Sequence, residues 1–329
     1  MRLQIGIVGT GVISTSMHIP VLRAMSSVSI RWVADADESR AKEVGKINRL
    51  AAVPLNTNYS SLPAVDIVLL AIPLPPRRQY LEFFANRNTA VLLEKPLALN
   101  TDEHRKMMAS YEAWQLSVGY QRRYYATSQL LRKLIRSDVF GIPKKIVISE
   151  GGRTTRSGAS SPYQDAPASQ GGGIVKNLGC HSIDLAFWLT SAMRARVIDR
   201  SVQWDRDTDR ACQAHVRLQG MNGIAGLDCD LHWDLSWLES RQNTLEVHFE
   251  TAVLRCPISP AADVQLCDAM GNQFASLDAS RTRGALTSTQ AFYLEWCDVV
   301  RAVQTRTEQS VSPWNMIATT ELIDELLER

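Results

Sequence analysis

Ile5-Gly6-Ile7-Val8-Gly9-Thr10-Gly11-Val12-Ile13-Ser14 is an apolar run that breaks on glycines and resumes as a helix-like pattern. It closes a first strand, Leu3–Val8, and opens a helix over about Ile13–Met25. Gly9 suits the tight turn, and Gly11 lets a pyrophosphate approach the backbone at the helix N-terminus, with Thr10, Val12 and Ile13 completing the contact loop. Ser14 stands at the third small position and is compact enough for close helix–strand packing. A Gly-x-Gly-x-x-Ser stretch alone is weak evidence; its place at the first βα turn near the N-terminus gives it weight.

Working outward, strand-like runs recur at Ser29–Ala34, Asp66–Ala71, Ala90–Leu93 and Leu116–Val118. Helix-like runs separate them, at about Glu38–Asn48, Arg77–Asn86 and Thr101–Trp114. This alternation predicts βαβ units, hence a doubly wound parallel sheet with helices on both faces. After residue 120 the texture changes. Helices are expected over Tyr125–Arg136 and Ile174–Leu189, with a polar Gly/Ser/Arg segment between them. Longer alternating runs follow at Ala211–Leu218, Ile224–Trp233 and Thr244–Arg255, and they predict an open, mostly antiparallel sheet with one wet face. Met221-Asn222-Gly223 is expected to join two of these strands as a hairpin. Helical patterns at Ala291–Val303 and Trp314–Leu327 end the chain. The expected architecture is α/β: a dinucleotide-binding domain over 1–120 and an α+β domain over 121–329.

The 329 residues carry 45% hydrophobic and 21% charged side chains and a net charge of +2. That is globular composition, and it gives no case for nucleic acid or an anionic membrane surface. No apolar run approaches the ~20 residues that span a bilayer, and the N-terminus lacks the features of a signal peptide. The six cysteines all lie in the second half without Cys-x-x-Cys pairs. Packed, reduced thiols in a cytoplasmic protein are expected, and neither a disulfide framework nor a metal site.

Two further residues belong to the edge that Gly9 and Gly11 define. Asp35 follows the second strand about two dozen residues past the glycines, near the spacing of a carboxylate that accepts ribose hydroxyls. It repels a 2′-phosphate, which favours NAD, while Arg40 leaves NADP open. Lys95 ends the strand Ala90–Leu93 within Glu94-Lys95-Pro96, just outside the carboxyl end of a parallel strand, where ligands bind in such sheets. Ile72, Pro73 and Leu74 end the neighbouring strand and are expected to touch the cofactor, as is Glu94.

Four stretches, in order, resemble the Gfo/Idh/MocA oxidoreductases, the family of glucose–fructose oxidoreductase and inositol dehydrogenase. They are the glycine loop, Glu94-Lys95-Pro96, Val118-Gly119-Tyr120-Gln121-Arg122-Arg123-Tyr124, and Gly171-Gly172-Gly173 leading to Asn177-Leu178-Gly179-Cys180-His181-Ser182-Ile183-Asp184. The resemblance implies a Rossmann domain followed by an α+β domain whose open sheet serves oligomerisation, as a homodimer or homotetramer. It also implies that Lys95 lies beside the nicotinamide and the reacting hydroxyl. His181 and Asp184 match the family's second motif, but Asn177 stands where that motif has its first Asp. Arg77 stands where the family commonly has His.

On this reading His181 is the candidate base for the hydroxyl proton, and Lys95 holds the substrate oxygen and stabilises alkoxide character. Asn177 can donate and accept hydrogen bonds but cannot orient an imidazole by charge. Lys176 reads as a surface charge or an anion contact. Arg122, Arg123, Arg153 and Arg156 are candidates for a phosphate or carboxylate or else form a solvated charged face, Tyr163 is expected at the substrate rim, and Asp184 either joins the site or bonds nearby backbone or an arginine. Trp233 and Trp237 suit either a sugar ring or a sheet-mediated subunit interface. The expected substrate is a sugar, cyclitol or sugar derivative. Two rivals are a cofactor-binding regulator, with Asn177 as its hint, and a C=N or C=C reductase.

Overall fold

The computed structural model describes residues 2–55, 59–153, 165–224 and 226–329. The chain divides into two compact units, residues 1–119 with 292–315, and residues 120–291 with 316–329.

The first unit holds six strands: β1 (Leu3–Val8), β2 (Val28–Ala34), β3 (Ala51–Ala52), β4 (Ile67–Leu70), β5 (Ala90–Leu93) and β6 (Leu116–Val118). All pair in parallel, in the order β3-β2-β1-β4-β5-β6, so the chain reverses direction of travel across the sheet between β1 and β4. Among the described residues the accompanying helices are α1 (Ile19–Ala24), which continues a helical segment that opens at Val12 and includes the π-helical turn Ser14–His18, then α2 (Glu38–Asn48), α3 (Leu74–Ala85) and α4 (Thr101–Ser110). Asp37 caps α2 by accepting the Ser39 and Arg40 N–H groups, and Asn100 caps α4 through Glu103 N–H at 2.9 Å. Such caps each contribute about 1 kcal/mol. β4 and β5 are buried at every position, as a strand covered on both faces must be. Residues 292–315, grouped with the second domain in the sequence reading, pack here. Phe292, Trp296, Val299 and Val300 share one buried cluster with Ile5, Ile7, Ile67 and Leu92.

The second unit contains α5 (Ala126–Arg136), α6 (Cys180–Thr190), the start of α7 (Ser288–Thr305), and α8 (Ile317–Leu327). Its sheet has eight strands: β7 (Lys145–Gly151), β8 (Arg194–Asp205), β9 (Thr208–Gln219), β10 (Cys229–Ser236), β11 (Thr244–His248), β12 (Ala252–Pro257), β13 (Val264–Asp268) and β14 (Gln273–Leu277). The order is β14-β13-β12-β11-β7-β10-β9-β8, and only β7 and β10 pair in parallel. Alternation sorts the faces: Ile146, Ile148, Val216, Leu231, Trp233 and Val247 are buried, while Lys145, His232 and Glu246 point the other way. The expected single strand Thr244–Arg255 is two, folded at Glu250-Thr251, where Phe249 N–H donates to Ala252 O. Two consecutive polar residues at that point break the apolar alternation. β9 and β10 pair antiparallel across the turn at Met221–Gly223 as expected, but the second strand begins at Cys229 and not at Ile224.

Candidate active site

The carboxyl ends of β1, β2, β4 and β5 gather the first unit's functional residues at one sheet edge. Gly9 adopts φ +95°, and a Cβ there would lie 2.2 Å from Ala71 O, so only glycine fits. Gly11 is different: among the described residues beyond its chain neighbours, a Cβ would meet nothing within 4 Å. Its glycine is not required by the protein's own packing, which leaves the backbone open to an approaching ligand. Ser14 donates to Gly9 O at 2.6 Å, closing the loop from the helix side, and Val12 is 82% exposed.

Asp35 sits behind this loop and holds it. One carboxylate oxygen accepts Thr10 N–H at 2.7 Å and Thr10 Oγ1–H at 2.9 Å. The other accepts Asp37 N–H and Arg40 Nη2, both at 2.9 Å. Burial works to raise the Asp35 carboxyl, but these N–H donors and the Arg40 guanidinium outweigh it and hold the group below the usual range. The carboxylate therefore stays charged, while Arg40, with a side chain 49% exposed, lies at the surface.

Glu94-Lys95-Pro96 follows β5, with Lys95–Pro96 in the cis form. Lys95 is half-buried. Glu94 is expected to contact cofactor, yet it is buried and turned inward, accepting Lys95 N–H at 3.1 Å and bonding His18 Nε2 at 2.9 Å. Leu74, also expected at the cofactor, is buried at the start of α3, whereas Ile72 and Pro73 remain accessible. Arg77, where the family commonly has His, is 4% exposed and donates to both Ile72 O and Pro96 O. It ties the end of β4 to the lysine turn.

Glu295 was not expected at this site. It is fully buried, and neither carboxyl oxygen has a hydrogen-bond partner among the described residues. Burial pushes its carboxyl well above the ordinary range, and the nearby Glu94 and Asp298 charges add to this. A carboxyl raised on folding contributes stability that is complete below its unfolded value, 4.5, and is lost as pH rises towards the folded value. Glu295→Gln is expected to remove that loss. The variant's Tm should exceed wild type by more at about pH 8 than at about pH 5, in paired thermal melts.

In the second unit the glycine run is a steric requirement. A Cβ on Gly172 would lie 1.9 Å from Ala166 O, and one on Gly173, at φ +88°, 1.7 Å from Asp209 Oδ1. Asp209 accepts Val175 N–H at 2.7 Å, so it caps the π-helical turn Val175–Gly179 that leads into α6. Asn177 and His181 lie on this continuous segment, His181 5% exposed with the Tyr120 ring edge-on at 5.6 Å between centroids. Asp184, one turn further, receives a two-pronged contact from Arg123: Nε to Oδ2 at 2.9 Å and Nη2 to Oδ1. Burial pushes the Asp184 carboxyl up, and the Arg123 guanidinium pulls it back.

Several expectations are corrected here. Of the two roles open to Asp184 the bond to an arginine is the one present, and Arg123, a candidate anion contact, is engaged by it in the interior. Arg122 is likewise held by both oxygens of Glu150, at 2.9 and 2.6 Å. Lys176 is buried and donates to Ala168 O at 3.0 Å, so it braces the preceding loop instead of forming surface charge. Trp233 is 2% exposed, lies against Gly179 and donates to Ser182 Oγ at 2.9 Å; Trp237 is buried beside Arg210. Both are packed inside the chain, and neither is an exposed sugar platform. Arg153 is exposed, and Arg156 and Tyr163 lie outside the described residues. All six cysteines are free. Among the described residues no helix is long and apolar enough to cross a membrane, and no group of His, Cys, Asp and Glu is arranged to hold a metal ion.

Comparison with known proteins agrees with this layout. Residues 3–120 match the model of the GFO/IDH/MocA oxidoreductase family, NAD-binding Rossmann fold. Residues 128–255 match that family's C-terminal domain. The rhizopine catabolism protein MocA of Rhizobium meliloti is 27% identical over 192 residues, 57% of each chain. An inositol 2-dehydrogenase of the same organism is 24% identical over 212 residues, 61% of each chain. The chain thus aligns with little more than half the length of these relatives. An aldose-aldose oxidoreductase from Caulobacter crescentus, solved with glycerol, superposes with a TM-score of 0.81 at 17% identity, covering 99% of this chain and 96% of that one. With both domain models matched in chain order, the chain belongs to the Gfo/Idh/MocA oxidoreductase family.

Proposed function

We propose that the chain is an NAD(P)-dependent oxidoreductase that interconverts a secondary hydroxyl and a ketone on a sugar, cyclitol or sugar derivative. The observation that carries this reading is the sheet edge itself: an unobstructed Gly11, a charged Asp35 behind it, and Lys95 two strands away on the same edge. The helix that follows the loop directs free N–H groups and a partial positive charge at a bound pyrophosphate. Asp35 favours NAD over NADP by repelling a 2′-phosphate, and the exposed Arg40 is the group able to turn towards one.

The bound nicotinamide supplies the hydride chemistry. The chain's own residues orient and polarise. Lys95, a compact cation with three donors, holds the substrate oxygen and stabilises the charge that develops on it. His181 takes the hydroxyl proton on oxidation and returns it on reduction. Asn177, in place of the family's Asp, adds no charge to that exchange, and this supports a second reading in which the chain binds dinucleotide without turnover. Assembly as a homodimer or homotetramer through the eight-stranded sheet is part of the proposal.

One panel tests it. Thermal shifts with NAD(H) and NADP(H) are followed by absorbance assays for NADH formation over aldoses, cyclitols and sugar phosphates. Stabilisation by ligand follows its concentration over Kd, so the first step needs no known substrate. Stronger stabilisation by NAD(H), and turnover with a polyol, are expected. Binding without turnover over the whole panel would favour the second reading.

A further inference from the structure

His18 and Trp296 are both fully buried, and each carries polar atoms that a buried position must satisfy. They form the start of a polar chain. Trp296 Nε1 donates to His18 Nδ1 at 3.0 Å, and His18 Nε2 lies 2.9 Å from Glu94 Oε1. An indole N–H is a donor only, so Nδ1 must accept and the imidazole proton must sit on Nε2, where it donates to Glu94. The second Glu94 oxygen accepts the backbone N–H of Lys95 at 3.1 Å. The Phe292 ring meets His18 edge-on at 4.9 Å between centroids and helps fix the imidazole plane.

The chain does not close on itself; it ends on the main chain of the lysine. From the other side, Arg77 holds Pro96 O and Ile72 O. We propose that Trp296 and His18 are positioning residues: they set the tautomer and rotation of the groups that hold Glu94, and Glu94 sets where the Lys95 side chain begins. This rests on the reading of Lys95 as the group at the reacting oxygen.

Four variants of the full chain test it: Trp296→Phe, His18→Gln, His18→Leu and Lys95→Ala. Glutamine retains an amide donor where Nε2 stands, and leucine does not. With a polyol that turns over in the panel above, Trp296→Phe and His18→Leu are expected to lose about ten- to a hundredfold in kcat, the range for groups that orient a functional ligand, with the KM for NAD unchanged. His18→Gln is expected to recover most of the loss. Full kcat in Trp296→Phe and His18→Leu, or an equal loss in His18→Gln and His18→Leu, would overturn the proposal. So would a rise in the KM for NAD that accounts for the loss.

Two measurements stand apart from turnover. Imidazole nitrogen NMR of the wild-type chain is expected to find His18 protonated on Nε2 alone, and protonation on Nδ1 would overturn the chain whatever the variants do. Trace acetylation of Lys95, read by peptide mass spectrometry, is expected to change in His18→Leu and return towards wild type in His18→Gln; an unchanged rate in His18→Leu would overturn it. Lys95→Ala at wild-type kcat would instead remove the functional reading and leave the tautomer result standing.

Discussion

Lys95→Ala is expected to lower kcat by about a thousandfold, about 4 kcal/mol of transition-state stabilisation, while NAD still stabilises the protein to the wild-type extent. The separation follows from where the side chain starts. Lys95 is half-buried beyond the end of β5, and its backbone is fixed by Glu94 and, through Pro96, by Arg77. Truncation at Cβ leaves both of those backbone contacts in place. The dinucleotide loop at Gly9–Gly11 is held by Asp35 and Ser14, neither of which involves Lys95. A donor aimed at a developing oxyanion acts mainly in the transition state, so the loss should appear in kcat and kcat/KM alike. Steady-state kinetics with a polyol substrate and a parallel NAD thermal shift give both numbers.

Arg123→Ala is expected to destabilise the second unit by about 3–5 kcal/mol, because it strands a buried carboxylate. Asp184 is 1% exposed and Arg123 5%, and their contact is two-pronged. Without the guanidinium, burial is left to push the Asp184 carboxyl further up, and folding must then bind a proton at neutral pH. The stability of the variant should accordingly fall as pH rises, a slope that urea denaturation at several pH values reads directly. A contrast lies on α4, where Arg105 and Asp102 form an exposed pair at 3.9 Å. Arg105→Ala is expected to cost less than about 0.5 kcal/mol. Replacing Arg123 and Asp184 together by Met and Leu should recover much of the loss, since no unpaired charge remains.

The parts of the site that were legible in the sequence are those that one short segment builds. The tight turn at Gly9, the open backbone at Gly11 and the carboxylate after β2 follow from spacing along one βαβ unit, and so does Lys95 at the end of β5. Periodicity also separated a parallel sheet from an alternating one. It could not say which apolar faces meet. The helix carrying Phe292 and Trp296 joins a core whose other members lie nearly the whole chain away, and the Trp296–His18 bond spans 278 positions. No local pattern marks such a partner. For the same reason Lys176 and Trp233 read as surface groups until the loop at Ala168 and the helix at Gly179 close over them. Asp209 escaped notice because a cap contributed from a strand 34 residues later has no signature at the helix it caps. Asp35 follows β2 at the edge, and its grip on Thr10 has no mark in the spacing.

The most direct test of the account is a calorimetric titration of NAD into the wild-type chain and into Gly11→Val. Among the described residues beyond its chain neighbours no atom lies within 4 Å of a Cβ at Gly11, so the variant should fold with a Tm close to wild type. Its side chain would occupy the space assigned to the pyrophosphate. Saturable binding of NAD to wild type, weakened about tenfold or more in Gly11→Val, is the predicted result. NAD binding of equal strength to both proteins, or to neither, would contradict it.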